Sequence, residues 1–345
     1  MAGMQHEHRP AVAGGQRREE ERPRRLGVHI GLFLATLFTT SLAGALNAGA
    51  DVFADWRSIS AGLPFSLTLM SILLVHEMGH YCLARRHGVA ATLPYFIPAP
   101  PPFPVGTFGA FIRMDSPPES RRALFDVGAA GPWAGLLAAI PAIVVGLQWS
   151  RVEPAGLMQS GLELGEPLLF TILSYLTLGP IADHMTVVLH PVALAGWFGL
   201  FVTFLNLLPI GQLDGGHVAY AMFGRHHRIV ARVFVAVILA LAFWGWSGWF
   251  VWVALVGLLG IDHPPTLDSW VGLDRRRRTA GWLTIVVFAL TFMPEPIALI
   301  EPSPVFEGEV TPVSAPADLP ARAPDASDDV PALPIPRKDG YALSA

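Results

Sequence analysis

The sequence predicts an all-α polytopic membrane protein of about seven transmembrane segments, with one small membrane-associated β-hairpin. Three observations predict it. The chain of 345 residues is 52% hydrophobic and only 14% charged, with mean hydropathy +0.47, whereas a soluble globular domain carries about 25% charged residues. Apolar runs recur at about 26–46, 63–84, 124–149, 192–213, 229–244, 249–261 and 279–293, several of them near the roughly 20 residues that cross a bilayer as helix. Arginines cluster at alternate ends of these runs, the signature of a chain threaded back and forth through a membrane.

Taken in order, residues 1–26 are polar and rich in arginine and glutamate. They match neither a secretory signal nor a serine-rich, acid-poor transit peptide. They read as a disordered cytoplasmic tail, with Arg24 and Arg25 as the retention charge before the first span. If every run crosses once, Arg24/Arg25, Arg85/Arg86, Arg121/Arg122, Arg225/Arg228 and Arg275 to Arg278 share one side. The other side carries Asp51, Asp55, Glu163, Glu166 and Asp183, with Arg57 and Arg151 as lone exceptions. The positive-inside rule makes the arginine side cytoplasmic and puts the acidic C-terminal tail outside. The runs at 229–244 and 249–261 are short, so they form a tight hairpin around Gly245 to Gly248 or are partly re-entrant. Residues 301–345 are rich in proline and alanine and read as disordered. The membrane domain is therefore 27–300. Net charge of −4 and the absence of a basic patch exclude nucleic acid as a partner. The single cysteine, Cys82, can form no internal disulfide and is expected simply to pack.

Chemistry concentrates in the second run, which contains His76-Glu77-Met78-Gly79-His80. On a helix, histidines four residues apart share a face, so both imidazoles reach one zinc ion, and the intervening glutamate can act as general base on water. The plainer alternative is a pair of histidines packed inside a bundle. Ionisable groups at membrane depth are costly and usually functional. The motif lies near the end of a run that finishes at Arg85-Arg86, which places it nearer the cytoplasmic face. The fourth run ends Asn206-Leu207-Leu208-Pro209-Ile210-Gly211-Gln212-Leu213-Asp214-Gly215-Gly216-His217. A prolyl break, an aspartate and two glycines at membrane depth need a buried or water-lined setting. Two histidines leave a tetrahedral zinc short of a third protein ligand, which the Asp214 carboxylate can supply.

Together, HExxH and a distant NxxPxxxxDG resemble the site-2 protease family of intramembrane zinc metalloproteases, in the branch without a PDZ domain. The resemblance covers about 63–224. It implies one zinc ion on His76, His80 and Asp214, Glu77 as the catalytic group, and Asn206 as a holder of substrate backbone or oxyanion. The stretch Phe125 to Gly135 looks like the family's small-residue segment, whose glycines are expected to pack. The segment 150–190, about 40 residues, is shorter than an independent domain of roughly 100–150, so regulation would use a separate regulatory or adaptor partner.

Between the second and third runs, Pro98 to Pro104 excludes helix, and the alternation around Thr107 to Arg113 suits a strand. This is the expected hairpin over 92–114, and its free edge offers strand addition to an unwound substrate. The other reading is a structural loop. Among the remaining histidines, His217 is expected behind the ligands or in a structural role and His190 along a water path. His87, His226 and His227 are expected to be solvated in basic loops. The function expected is hydrolysis of transmembrane segments of membrane proteins, in regulated intramembrane proteolysis, within a bacterial plasma membrane and in contact with lipid. A metal transporter is the competing class. Glu77 argues against it, since transport needs no base beside its ligands, and no inverted repeat is apparent. A catalytically silent scaffold on the same fold is the third class.

Overall fold

The computed structural model describes residues 26–154, 161–266, 268 and 270–300; the two tails expected to be disordered lie outside them except for Leu26, which opens the first helix. In chain order the described elements begin with helices α1 (Leu26–Asn47) and α2 (Leu63–Arg86), then strands β1 (Tyr95–Pro98) and β2 (Thr107–Phe111) and helix α3 (Arg121–Gln148). Strands β3 (Arg151–Pro154) and β4 (Gly161–Leu164), helix α4 (Leu168–Leu178), strand β5 (Met185–Val188) and helix α5 (Pro191–Asn206) follow. Helices α6 (Asp214–Phe223), α7 (His227–Trp244), α8 (Trp249–Leu259) and α9 (Arg275–Thr291) lead to strand β6 (Ile297–Ile300). The fold is helical as expected, and β1 and β2 form the expected antiparallel hairpin. Two further strand pairs, β3 with β5 and β4 with β6, were not anticipated. Four-residue strands are too short for alternation to mark them.

Among the described residues, four helical stretches are long and apolar enough to cross a membrane by length and composition: Leu26–Asn47, Trp56–Arg86, Arg121–Gln148 and Asp214–Trp244. The run at 192–213 is not one segment. Helix α5 stops at Asn206 after 16 residues, about 24 Å at 1.5 Å per residue, because the chain turns through Pro209. The run at 229–244 belongs to a 31-residue stretch that starts at Asp214. Helix α4 is apolar as well and escaped notice because it has only 11 residues.

The core is built by α2, α3 and α5. Phe65, Leu69, Ile72 and Leu73 from α2 meet Leu136, Ala139, Ile143 and Leu147 from α3 and Trp197, Phe198, Leu200 and Phe204 from α5. Small residues let the backbones approach, the usual means of tight association when lipid is as apolar as leucine. A Cβ on Gly146 of α3 would lie 2.2 Å from the Ala193 nitrogen of α5, and one on Gly62 would lie 1.8 Å from the Ser41 carbonyl of α1.

Two polar links hold this core to its surroundings. Asp126 on α3 accepts from Arg277 Nε at 2.8 Å and Nη2 at 2.6 Å, and its Oδ2 lies 2.8 Å from His87 Nε2 at the end of α2. His87 is therefore engaged between helices rather than free in a basic loop. The hairpin is fastened to α1, where Thr39 Oγ1 donates to the Gly106 carbonyl at 2.6 Å and Asn47 Nδ2 donates to the Pro104 carbonyl at 2.9 Å. Gly106 has φ +73°, and a Cβ there would lie 2.3 Å from the Thr39 carbonyl, so only glycine closes this contact.

Candidate metal centre

His76 and His80 lie on consecutive turns of α2 and are 3% and 7% exposed. Asp214 reaches them from the first residue of α6, 134 positions from His80. Their donor atoms converge: His76 Nε2 to His80 Nε2 is 3.2 Å, and Asp214 Oδ2 lies 3.1 Å from His80 Nε2 and 3.4 Å from His76 Nε2. Among the described residues this is the one group of three or more such side chains with its ligand atoms gathered closely enough to hold a metal ion.

The protonation pattern supports a cation. His80 Nδ1 faces the Val127 carbonyl at 2.8 Å. A carbonyl only accepts, so Nδ1 carries a proton, and in the neutral ring Nε2 is a bare lone pair. Asn206 Nδ2, 3.3 Å from His76 Nε2, donates toward that atom and marks it too as an acceptor. With both rings neutral, two lone pairs and a carboxylate oxygen are aimed at a common point, an arrangement that a proton shared with Asp214 or a bound metal cation relieves. Two imidazoles and a carboxylate are a zinc donor set, and ligands at about 2.0–2.1 Å from a tetrahedral ion are separated by about 3.3 Å. The separations in this site match that edge.

Helix α3 makes room for the imidazoles. A Cβ on Gly131 would fall 2.0 Å from His80 Nε2, and one on Gly135 would fall 2.9 Å from His76 Nδ1. In the reverse direction, a Cβ on Gly79 would lie 2.6 Å from the Ala130 carbonyl. The glycines of the small-residue stretch thus pack, as expected, and they pack on the His76 and His80 rings themselves. The aspartate depends on the same device. A Cβ on Gly215 would sit 1.9 Å from the Leu207 carbonyl, so the residue after Asp214 lets α6 start hard against the loop from α5.

Glu77 points into the same region, 6% exposed, with the Ile112 backbone amide beside its carboxylate. That amide follows directly on β2, so the hairpin lies next to the centre. The structure thus brings His76, Glu77, His80, Asp214 and Asn206 together.

Other expectations change. His190 caps α5, its Nδ1 accepting from the Val192 amide at 3.3 Å, and its ring packs edge-on against Trp149. Cys82 is exposed rather than packed. His227 is 1% exposed, buried against Tyr220 and His263 rather than solvated; of the two histidines there, His226 is the exposed one. Ile112 and His263 were missed by sequence reasoning. A backbone amide leaves no residue signature, and His263 has no motif around it.

Replacing Gly131 by alanine should drive His80 out of register. The expected result is a folded protein whose metal content falls well below one ion per chain after gel filtration against a mild chelator. Full retention would mean that α3 can move aside.

The sequence matches the profile of Peptidase family M50 across residues 64–244, which hold both motifs. It is similar to "Probable zinc metalloprotease EGY1, chloroplastic" of Arabidopsis thaliana, with 35% identity over 197 residues, 54% of this chain and 34% of that protein. The protein of the same name from Oryza sativa subsp. japonica is 38% identical over 173 residues, 48% of this chain and 29% of its own length. "Probable zinc metalloprotease EGY2, chloroplastic" of Arabidopsis thaliana is 30% identical over 193 residues, 56% of this chain and 34% of its own. This chain thus spans about a third of the length of these relatives. Zinc is the ion that the family and these names imply for the His76, His80 and Asp214 group. With more than half of its residues inside the matched region and both motifs converging on one centre, the chain belongs to Peptidase family M50, the site-2 protease family.

Proposed function

We propose that this protein is an intramembrane zinc metalloendopeptidase that hydrolyses peptide bonds in or near transmembrane segments of membrane proteins. The observation that carries the reading is a buried acid, Glu77, set between two converging imidazoles on a helix apolar enough to span a bilayer. Zinc held by His76, His80 and Asp214 supplies Lewis-acid polarisation of a carbonyl and activation of water near neutral pH. Glu77 takes the proton of the attacking water and passes it to the leaving amine. Burial excludes bulk water, which strengthens every charge interaction inside the site. The Asn206 amide, at the edge of the donor set, holds the substrate backbone or the developing oxyanion.

A transmembrane substrate hides its carbonyls in its own helix, so it must unwind before it can react, and helix-breaking residues should favour cleavage. The β1–β2 hairpin beside Glu77 offers an edge on which the unwound segment can be held by strand addition. We place the protein in a plasma membrane with the centre nearer the cytoplasmic face, following its arginine distribution. Its role there is regulated intramembrane proteolysis, with control through a separate adaptor.

The deciding experiment compares wild type with Glu77→Gln in liposomes, following zinc content and cleavage of a tagged transmembrane helix. Cleavage should fall by about 10²–10⁴-fold with zinc unchanged, and a chelator should abolish wild-type cleavage until Zn²⁺ is returned. Equal cleavage by both forms would remove the activity from this site. Asn206→Ala should keep zinc and lower kcat by about 10²–10³-fold, the loss typical of an oxyanion donor; an unchanged kcat would reduce Asn206 to the end of a helix. Phe108→Pro, at an exposed position of β2, should spare zinc and slow cleavage of a helical substrate. If that substrate is cut at the wild-type rate, strand addition is wrong.

A further inference from the structure

The loop and the first two helical turns around Asp214 are held by a segment far along the chain. Residues 260–266, between α8 and α9, lie against them at three points. The Gly211 amide donates to the Ile261 carbonyl at 2.9 Å. The Thr266 amide donates to the Tyr220 hydroxyl at 3.3 Å. His263 Nε2 lies 2.8 Å from His217 Nδ1. Gly211 has φ +54°, and a Cβ there would sit 2.2 Å from the Gly260 carbonyl, so the two backbones touch where the aspartate loop turns. On the opposite side, a Cβ on Gly128 of α3 would lie 2.7 Å from His217 Cβ and 3.3 Å from the Asp214 carbonyl. The first turn of α6 is clamped between α3 and this segment.

The histidine pair has a determined polarity. His263 Nδ1 lies 2.5 Å from the Pro264 carbonyl, which can only accept, so Nδ1 carries a proton. His263 is 7% exposed and stacks on Tyr220 with ring centroids 4.6 Å apart. Burial pushes its imidazole below the ordinary histidine range, so the ring is neutral at pH 7 and Nε2 is an acceptor. His217 Nδ1 must then donate. The order is His217 Nδ1–H to His263 Nε2, and His263 Nδ1–H to Pro264. Backbone thereby fixes one tautomer of each ring, the device by which outer hydrogen bonds orient the groups around a metal.

We propose that His263, through His217, is a positioning residue for Asp214, fixing the first turn of α6 so that the carboxylate meets His76 and His80. His263 lies beyond the matched residues 64–244, and His217 sits three positions after Asp214 on the same helix. The assignment rests on the metallopeptidase reading of the centre.

The full chain, loaded with Zn²⁺ and mixed with a chromophoric chelator, reports release of the ion independently of proteolysis. His263→Phe keeps a ring to stack on Tyr220 and removes the acceptor. It should speed zinc release by about 10–100-fold and lower kcat with KM unchanged. His263→Gln restores an acceptor toward His217 and should recover most of the loss. His217→Leu breaks the pair from the other side, and covers the case in which His263→Phe does not fold. The double variant should release zinc no faster than the worse single one, as expected for residues that act as one unit. Wild-type release from His263→Phe, equal release from His263→Phe and His263→Gln, or additive effects in the double variant would each overturn the assignment. Wild type that binds no zinc at all would overturn both this assignment and the metallopeptidase reading. Zinc bound tightly without cleavage would overturn only the protease reading.

Discussion

The missing Cβ atoms of α3 are the constraint on which the rest depends. Helix α3 passes so close to α2 that any side chain larger than hydrogen at Gly131 would occupy the place of the His80 ring. That contact does two things at once. It brings the Val127 carbonyl to His80 Nδ1, setting the tautomer, and it closes one side of the site to water. Membrane helices associate through such small-residue contacts because burial of apolar surface gives no net advantage in lipid. Here the same contact that joins two spans also shapes the donor set.

Placing two imidazoles, two carboxylates and an amide within a buried centre is costly unless each polar atom has a partner. The fold meets this by bringing backbone to the site. Val127 supplies a carbonyl to His80, Ile112 an amide to Glu77, and the turn after α5 lets α6 begin at Asp214. Irregular backbone at such a depth is tolerated where protein surrounds it. The loop Leu207 to Leu213 satisfies that condition, packed against the glycines at the start of α6 and against residues 260–266.

The charged groups outside the centre serve the same geometry. Asp126 joins the end of α2 to α9 through His87 and Arg277, so the helix bearing both histidines is tied at its arginine-rich end. The side-chain hydrogen bonds from Thr39 and Asn47 hold the hairpin against α1, which leaves β2 beside Glu77. Helix, hairpin and aspartate loop are separate in sequence and meet around one centre.

What the sequence by itself determined was local. The four-residue spacing of His76 and His80 places them on one helical face whatever surrounds the helix, and the prolyl break before Asp214 ends α5 in any context. The second motif singled out Asp214, which the fold brings to both imidazoles, and the prolines between Pro98 and Pro104 identified the hairpin. Tertiary structure decided everything that couples distant residues. The partner of His87, the amide facing Glu77 and the pairing of His217 with His263 join residues distant in sequence, 39 positions apart for His87 with Asp126 and 46 for His217 with His263. Hydropathy also merged α5 with the loop that follows it and passed over α4. An apolar residue scores alike in a spanning helix, a short buried helix and a packed loop, and only the packed neighbours distinguish them.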